Sequence, residues 1–248
     1  IFISDVLRGI GKEVYYTMVS EAGASVYSAS KLASEEFPDF TVEQRSAASI
    51  ARRIQDPLSE LVKIDPKAIG VGQYQHDMNQ KELSAALAGV VENCVNSVGV
   101  DLNTASAALL SYVAGINGTV AKNIVAYRDE NGKFSSRKQL LKVPKLGEKA
   151  FTQCAGFLKI NGAEQVFDST SVHPESYAVA ADLLAAVGYS ADDVRCGSLG
   201  ELKPRMRMID MKKFCDDHGV GMPTVTDIAD SLLKPDRDPR DEMPRPVL

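Results

Sequence analysis

The feature that most limits what this chain can fold into is a turn that occurs twice. Gly115-Ile116-Asn117-Gly118 and Lys145-Leu146-Gly147-Glu148 stand thirty residues apart, and aligning them lays GINGTVAKNI (115–124) over KLGEKAFTQC (145–154). Apolar runs with helical spacing flank each turn, as in LLSYV before the first and VAKNIVAYR after it. Each turn therefore joins two short helices rather than two strands. A pair of αα-hairpins is the expected core of this stretch.

Glycines in such turns serve backbone geometry alone, or they also let a ligand come close to the main chain. Unpaired amides at a helix start, together with the amides of the tight turn, converge on one oxygen-rich ligand, and the helix dipole favours negative charge there. A nucleic-acid phosphate suits that geometry. Three further Gly-hydrophobic-Gly triplets, Gly9-Ile10-Gly11, Gly70-Val71-Gly72 and Gly219-Val220-Gly221, lack a second helix with a small residue at the right offset and are set aside. Local charge agrees with an anion site. From Val98 to Ile160 nine basic residues (Lys122, Arg128, Lys133, Arg137, Lys138, Lys142, Lys145, Lys149, Lys159) face four acidic ones, so this window is +5 in a chain of net −5. A surface of solvated lysines over purely structural hairpins is the alternative.

Around this core the pattern is mostly helical. EVYYTMV (13–19) reads as a strand, GASVYSASKLASEE as one helix stopped before Pro38, and the helical spacing from Val42 to Leu61 is interrupted at Asp56-Pro57. A loop with Pro66, Gly70 and Gly72 follows. Asn79 with Glu82 three residues on predicts a capping-box start to a helix carrying Leu83, Leu87, Val90, Val91, Cys94, Val95 and Val98 on one stripe and ending at Gly99. Within the second hairpin RKQLLK and EKAFTQCAGFLKI read as helices; beyond it Pro174 opens another, and VTDIADSLL is the last, stopped by Pro235; the proline- and charge-rich remainder reads as an exit segment. The cysteines are scattered, the three histidines complete no metal-ligand spacing, and no apolar run reaches eighteen residues, so a reducing, cytoplasmic setting without membrane insertion is expected. The opening IFISDVLRGIG has neither an initiator Met nor a signal pattern, which predicts a start inside a longer protein.

The stretch from DLNTAS through FLKI resembles a tandem helix-hairpin-helix domain, and EAGASVYSASKLASEEFPDF, SIARRIQDPLSELVKIDPKAIGVGQYQHD, SVHPESY and LLKPDRDP resemble signature stretches of the Tex family of bacterial transcription accessory proteins. The resemblance covers most of the chain from about Glu21. It implies a mainly α chain: a tandem helix-hairpin-helix domain (100–162) preceded by the C-terminal part of an α/β ribonuclease-H-like domain (1–64) and by a linker with a long helix (65–99). A helical region (163–234) and an exit linker (235–248) follow. By the same resemblance the role is nucleic-acid binding in support of transcription, RNA or DNA, with an OB-fold RNA-binding domain beyond the C-terminus and the transcription machinery as a partner. Asn117 departs from the family by replacing the second glycine of the first hairpin, Lys145 by replacing the first glycine of the second, and Asp236 by replacing a glycine of the exit segment. Asn tolerates positive φ, whereas Lys145 is not assumed to.

The residues expected to touch nucleic acid are Gly115, Asn117, Gly118, Lys122, Lys145, Gly147 and Lys149. No catalytic residue, metal ligand or cofactor is expected, and oligomeric state is left open. Ribonuclease-H-like nucleases hold two metal ions on clustered carboxylates, which makes Glu21 and Asp56 the candidates. Asp56 is better read as a helix N-cap before Pro57, Glu21 as serving the dipole of the next helix, and His173 as a helix-start residue. Two other readings stay open: a DNA-capture module, since the hairpin pair also resembles the DNA-binding domain of competence receptors, and a protein-interaction scaffold.

Overall fold

The computed structural model describes residues 5–6, 9–10, 16–70 and 72–233. Of the strand expected at 13–19, residues 13–15 lie outside them and the rest does not form one: Tyr16 makes an isolated bridge and residues 17–20 have no regular structure. Pro235 and the exit segment also lie outside. The chain forms two compact units that divide between Val71 and Gly72.

In the first unit, α1 (Ala24–Ser28), α2 (Lys31–Glu36), α3 (Val42–Gln55), α4 (Pro57–Leu61) and α5 (Pro66–Ile69) surround a small core of Tyr27, Ala33 and Ile64. The single helix expected over 23–36 is two. Ser30 breaks it by taking an extended conformation and capping α2 with its hydroxyl, which accepts from the Ala33 N–H. Thr41 and Gln44 close a reciprocal capping box on α3. Asp56 restarts the chain as expected, its carboxylate accepting from the Ser59 N–H at 2.9 Å. Where a loop was expected, Pro66 opens α5, whose Ala68 and Ile69 pack on the core, so the unit runs past residue 64.

The second unit begins with α6 (Gln80–Val98), capped by the Asn79 side chain, which accepts from the N–H groups of Lys81 and Glu82. Glu82 bonds the Asn79 side chain rather than its backbone, so the capping box is half made. Of the apolar stripe only Val95 is buried, and Val90 is 57% exposed. No helix among the described residues is long and apolar enough to cross a membrane.

The hairpin pair follows as β1 (Val100–Asp101), α7 (Ala107–Leu110), α8 (Gly118–Asn131), a 3-10 segment Arg137–Lys142, α9 (Glu148–Cys154) and β2 (Leu158–Lys159). The repeat is visible in burial. Leu110 and Leu140, Val113 and Val143, Ile116 and Leu146, and Ile124 and Cys154 are paired thirty residues apart, and all are 5% exposed or less. Leu158 and Lys159, read as helix from sequence, pair in parallel with Val100 and Asp101 and join the two ends of the repeat. Helix α9 stops at Cys154 because Phe157 turns back, and its carbonyl accepts from the Val100 N–H at 2.8 Å.

The described residues that follow form two more hairpins. After 3-10 turns at Val166–Ser169 and Pro174–Ser176 come α10 (Tyr177–Ala186), α11 (Ala191–Arg195), α12 (Leu202–Met206), α13 (Met211–His218) and α14 (Met222–Leu233). His173 caps the Pro174 turn as expected, accepting from the Glu175 N–H. Gly188-Tyr189-Ser190 joins α10 to α11, and Gly219-Val220-Gly221 joins α13 to α14, with φ of 75° and 63° at the leading glycines. These turns are thirty-one residues apart and share a bond: the N–H of the apolar residue donates five residues back, Tyr189 to Leu184 and Val220 to Cys215. Contrary to the expectation from sequence, Gly219-Val220-Gly221 is therefore a hairpin turn, and in its partner turn Ser190 stands where the second glycine would be.

The two hairpin pairs are locked together by Arg137, which is 1% exposed. Its guanidinium donates to the carbonyls of Leu158 (2.6 Å), Val172 (2.7 Å) and Thr170, and to the Tyr177 hydroxyl at 2.8 Å. Tyr177 in turn donates to Asp168 at 2.6 Å, and the other Asp168 oxygen accepts from the Arg137 backbone N–H. Burial lowers the Arg137 pKa, while Tyr177 and Asp168 act against that. Truncating a buried, fully bonded cation strands its acceptors, so Arg137→Ala should cost about 3–5 kcal/mol in urea unfolding. Arg137→Lys should recover little, because an ammonium cannot span the same fork of carbonyls.

A second tie is titratable. His218 reaches the Phe214 carbonyl through Nδ1 (2.9 Å) and Asp182 on α10 through Nε2 (3.0 Å). The bond to Phe214 raises its pKa, burial opposes, and Asp182 adds to the rise. A raised folded pKa means stabilisation that is complete below the unfolded value of about 6.5 and is lost as pH rises through the folded value. The stability gap between the parent and His218→Gln should thus be widest below about pH 6 and shrink in alkali, as read by unfolding curves across pH.

Candidate nucleic-acid interface

All seven residues expected at the interface lie on the surface of the second unit. At the first turn Gly115 has φ 80°, Ile116 points inward, and Asn117 takes an extended conformation as the N-cap of α8. At the second, Lys145 has φ 66°, Leu146 points inward, and Gly147 is the extended N-cap of α9. The two turns therefore share one backbone shape. Positive φ is required at the first position only, so Asn117 does not need the tolerance credited to it, and Lys145 adopts the left-handed conformation despite its Cβ. That conformation strains a non-glycine residue by roughly 1–2 kcal/mol.

The two helix starts differ in how many amides stay open. The Asn117 side-chain oxygen accepts from the N–H groups of Thr119 and Val120, both at 3.0 Å, and so takes two donors that a phosphate would use. Gly147 has no side chain, α9 has no side-chain cap, and nothing lies within 4 Å of where a Cβ would stand. The second turn is the more open anion cradle. Lys145 and Lys149 flank it, with Glu148 as the opposing charge in the first turn of α9. At the first turn, Asn117, Gly118, Thr119, Lys122 and Asn123 line a shallow depression.

Each turn rests on the other hairpin's second helix. A Cβ on Gly115 would stand 2.7 Å from Gln153 Cβ and 3.2 Å from the Ala150 carbonyl, both on α9. Reciprocally, Asn123 on α8 donates to the Pro144 carbonyl at 2.8 Å. Asn123 and Gln153 are equivalent positions of the repeat, and the sequence reading missed both. Their signal is that a polar amide recurs at the same offset from each turn. Asn96 of α6 adds a third brace, its amide accepting from the Ala114 N–H (3.1 Å) and donating to the Tyr112 carbonyl (3.3 Å).

The local charge is smaller than the sequence count. Arg128 donates inward to the carbonyls of Leu102 and Ala105, while Arg137 and Lys159 are buried, so three of the nine cations serve the interior. The outward charge rests on six exposed lysines, Lys122, Lys133, Lys138, Lys142, Lys145 and Lys149.

In the first unit the carboxylates of Glu36, Glu60 and Asp56 are occupied. Glu36 receives the Tyr27 hydroxyl (2.5 Å), Lys63 (3.0 Å) and Arg52 (2.7 Å). Burial works to raise its pKa, but those hydrogen bonds and the Lys63 and Arg52 charges hold it below the usual range. Glu60 is buried against Ser49 and Lys63. Asp56 is engaged at the α4 cap. Glu21 is exposed, and Gly23, not Glu21, caps α1. Among the described residues no group of three or more His, Cys, Asp or Glu side chains is placed to hold a metal ion.

Two successive hairpin pairs behind a helical first unit define a tandem helix-hairpin-helix protein. Residues 95–159 match a helix-hairpin-helix motif, residues 165–240 a further HHH domain, and residues 1–55 the Tex protein YqgF-like domain. The chain is 56% identical over 237 residues to the transcriptional accessory protein Tex of Neisseria gonorrhoeae, covering 95% of this chain and 30% of that one. It is 59% identical over 225 residues to protein YhgF of Escherichia coli (91% and 28%) and 58% identical over 149 residues to human S1 RNA-binding domain-containing protein 1 (60% and 15%). The chain belongs to the Tex family, and it spans about a third of the length of relatives such as YdcI of Bacillus subtilis, of which it covers 34%.

The bracing separates the two glycines. Gly115→Ala should destabilise the chain by about 2–4 kcal/mol through left-handed strain and the collision with α9, while Gly147→Ala should change stability by less than about 1 kcal/mol. Lys145→Gly should stabilise by about 1 kcal/mol by relieving strain. Urea unfolding of the three variants tests this order, and equal losses at Gly115 and Gly147 would contradict the reciprocal packing.

Proposed function

We propose that this chain binds nucleic acid through the two turns of its first hairpin pair, gripping backbone phosphates with little regard to base sequence, and does so in support of transcription. The observation that carries the reading is the uncapped start of α9, open in front of Gly147 and flanked by Lys145 and Lys149, repeated in a partly filled form at the start of α8. Amides and lysines at these turns reach phosphate oxygens, and neither turn carries an aromatic ring or a free amide side chain to read a base edge. The names of the Neisseria and human relatives speak of transcription and of RNA binding, which supports the same reading. The chain acts without cutting what it binds. Supporting this are the ion pairs of Glu36 and Glu60 and the capping bond of Asp56, which commit those carboxylates to structure.

Fluorescence anisotropy with RNA and DNA oligonucleotides of two unrelated sequences, across about 50–200 mM salt, tests both parts. Two to four phosphates engaged by the hairpins contribute roughly −2 to −4 to the slope of log affinity against log salt on duplex, and less on single strands. Lys149→Ala should weaken every sequence alike and flatten the slope by about one unit. Salt-insensitive binding, or base discrimination that survives Lys149→Ala, would assign recognition elsewhere, and absence of binding would favour a protein scaffold. Cleavage with magnesium or manganese that disappears on Glu21→Ala or Asp56→Ala would overturn the non-catalytic part.

A further inference from the structure

The second hairpin pair cannot use its turns as the first does. In Gly188-Tyr189-Ser190 the helix start is closed by a capping box: Ser190 accepts from the Asp193 N–H, and Asp193 accepts from the Ser190 N–H and hydroxyl, both at 2.7 Å. A carboxylate already occupies that cradle. Behind Gly219-Val220-Gly221, Pro223 removes an N–H from the first turn of α14, and Asp216 and Asp217 stand exposed at the end of α13. The surrounding charge repels phosphate as well. From Ala163 to Leu233 there are twelve acidic and six basic residues.

Five of those six cations fall within eleven residues, Lys203, Arg205, Arg207, Lys212 and Lys213, with Asp210 the only acid among them. Two anchor the segment. Arg205 stacks on Tyr189, its guanidinium carbon 4.3 Å from the ring centroid, and donates to the Val187 carbonyl at 3.2 Å; Lys203 pairs with Asp230 of α14 at 2.6 Å. The other three, Arg207, Lys212 and Lys213, are exposed and without an ion pair among the described residues. Lys212 and Lys213 lie in the first turn of α13, where the helix dipole disfavours a cation. Local stability therefore does not account for them.

We propose that Arg207, Lys212 and Lys213 form a second nucleic-acid contact, a basic strip from the end of α12 to the start of α13 that takes phosphodiester groups by side-chain charge. The inference rests on the reading of the first hairpin pair as a nucleic-acid grip and extends the same polyanion to a second footing. A protein partner would need apolar anchors. The exposed large apolar side chains among the described residues from 163 to 233 are Met208 and Met222, neither of them aromatic.

The test uses the whole 248-residue chain. Arg207→Ala/Lys212→Ala/Lys213→Ala is compared with Lys122→Ala/Lys149→Ala and the parent by salt-dependent anisotropy on one RNA and one DNA oligonucleotide, with thermal unfolding as the folding check. The strip variant should bind about tenfold or more weakly near 0.1 M salt, with a slope flatter by roughly two to three units on duplex, and melt no lower than the parent. Unchanged affinity and slope in the strip variant, while the hairpin variant is weakened, would overturn the strip and leave the hairpin reading standing. A parent that binds neither oligonucleotide would overturn both. Polyglutamate of matched charge binding the parent as tightly as the oligonucleotides, and losing as much in the strip variant, would make the strip an acidic-protein dock and overturn the nucleic-acid assignment.

Discussion

A single buried guanidinium holds the second unit together. Arg137 stands in the short 3-10 segment between the two hairpins of the first pair, and its acceptors come from β2, from the 170–172 loop and from the first residue of α10. The carbonyls of Thr170 and Val172 lie in irregular chain with no ladder to satisfy them, and burying them unpaired would be costly. Arginine provides a planar fork that satisfies several at once, with its charge balanced through Tyr177 and Asp168. The orientation of the second hairpin pair against the first follows from where those carbonyls converge.

Within the first pair, order comes from reciprocity. Each turn is seated on the helix that follows the other turn, through Gly115 against α9 and Asn123 against the Pro144 carbonyl. Closing the two ends with the parallel bridge of β1 and β2 leaves both helix starts at the surface. The left-handed Lys145 is consistent with this: seated Leu146 and the bridged helix over-determine the turn, so the backbone keeps its shape against the local preference. The same seating leaves Gly147 with nothing around it, which is what a backbone approached by a ligand requires.

The two hairpin pairs share a fold and divide in their electrostatics. The first presents lysines around one open and one partly filled helix start. The second fills its first turn with Asp193, loses an amide to Pro223, surrounds itself with acids and gathers its cations on α12 and α13 instead. Duplicating a fold does not duplicate a site, because the site depends on a few capping and flanking residues that packing leaves free to vary.

The repeated turn, the helical class of the chain, the restart at Asp56-Pro57 and the start of α6 at Asn79 were all legible in sequence, because capping, proline and apolar periodicity act over a few residues. Family membership was legible too, carried by long stretches such as SIARRIQDPLSELVKIDPKAIGVGQYQHD. Some of what sequence misjudged is local, as where Ser30 splits one expected helix into two, but most depends on partners far along the chain. Leu158 and Lys159 looked helical and became a strand because Val100 and Asp101 lie alongside them, and Gly219-Val220-Gly221 looked idle for want of a second helix at the right offset, while its counterpart turn carries Ser190 in place of the second glycine. Nine cations looked like a surface, but Arg128, Arg137 and Lys159 point their charge inward, where distant carbonyls or burial await them. Sequence by itself determined the first two hairpin turns and most of the helices, since those preferences are local. Only the tertiary structure decided which glycine is packed and which is open, and which charges reach solvent, because both depend on contacts between residues tens of positions apart.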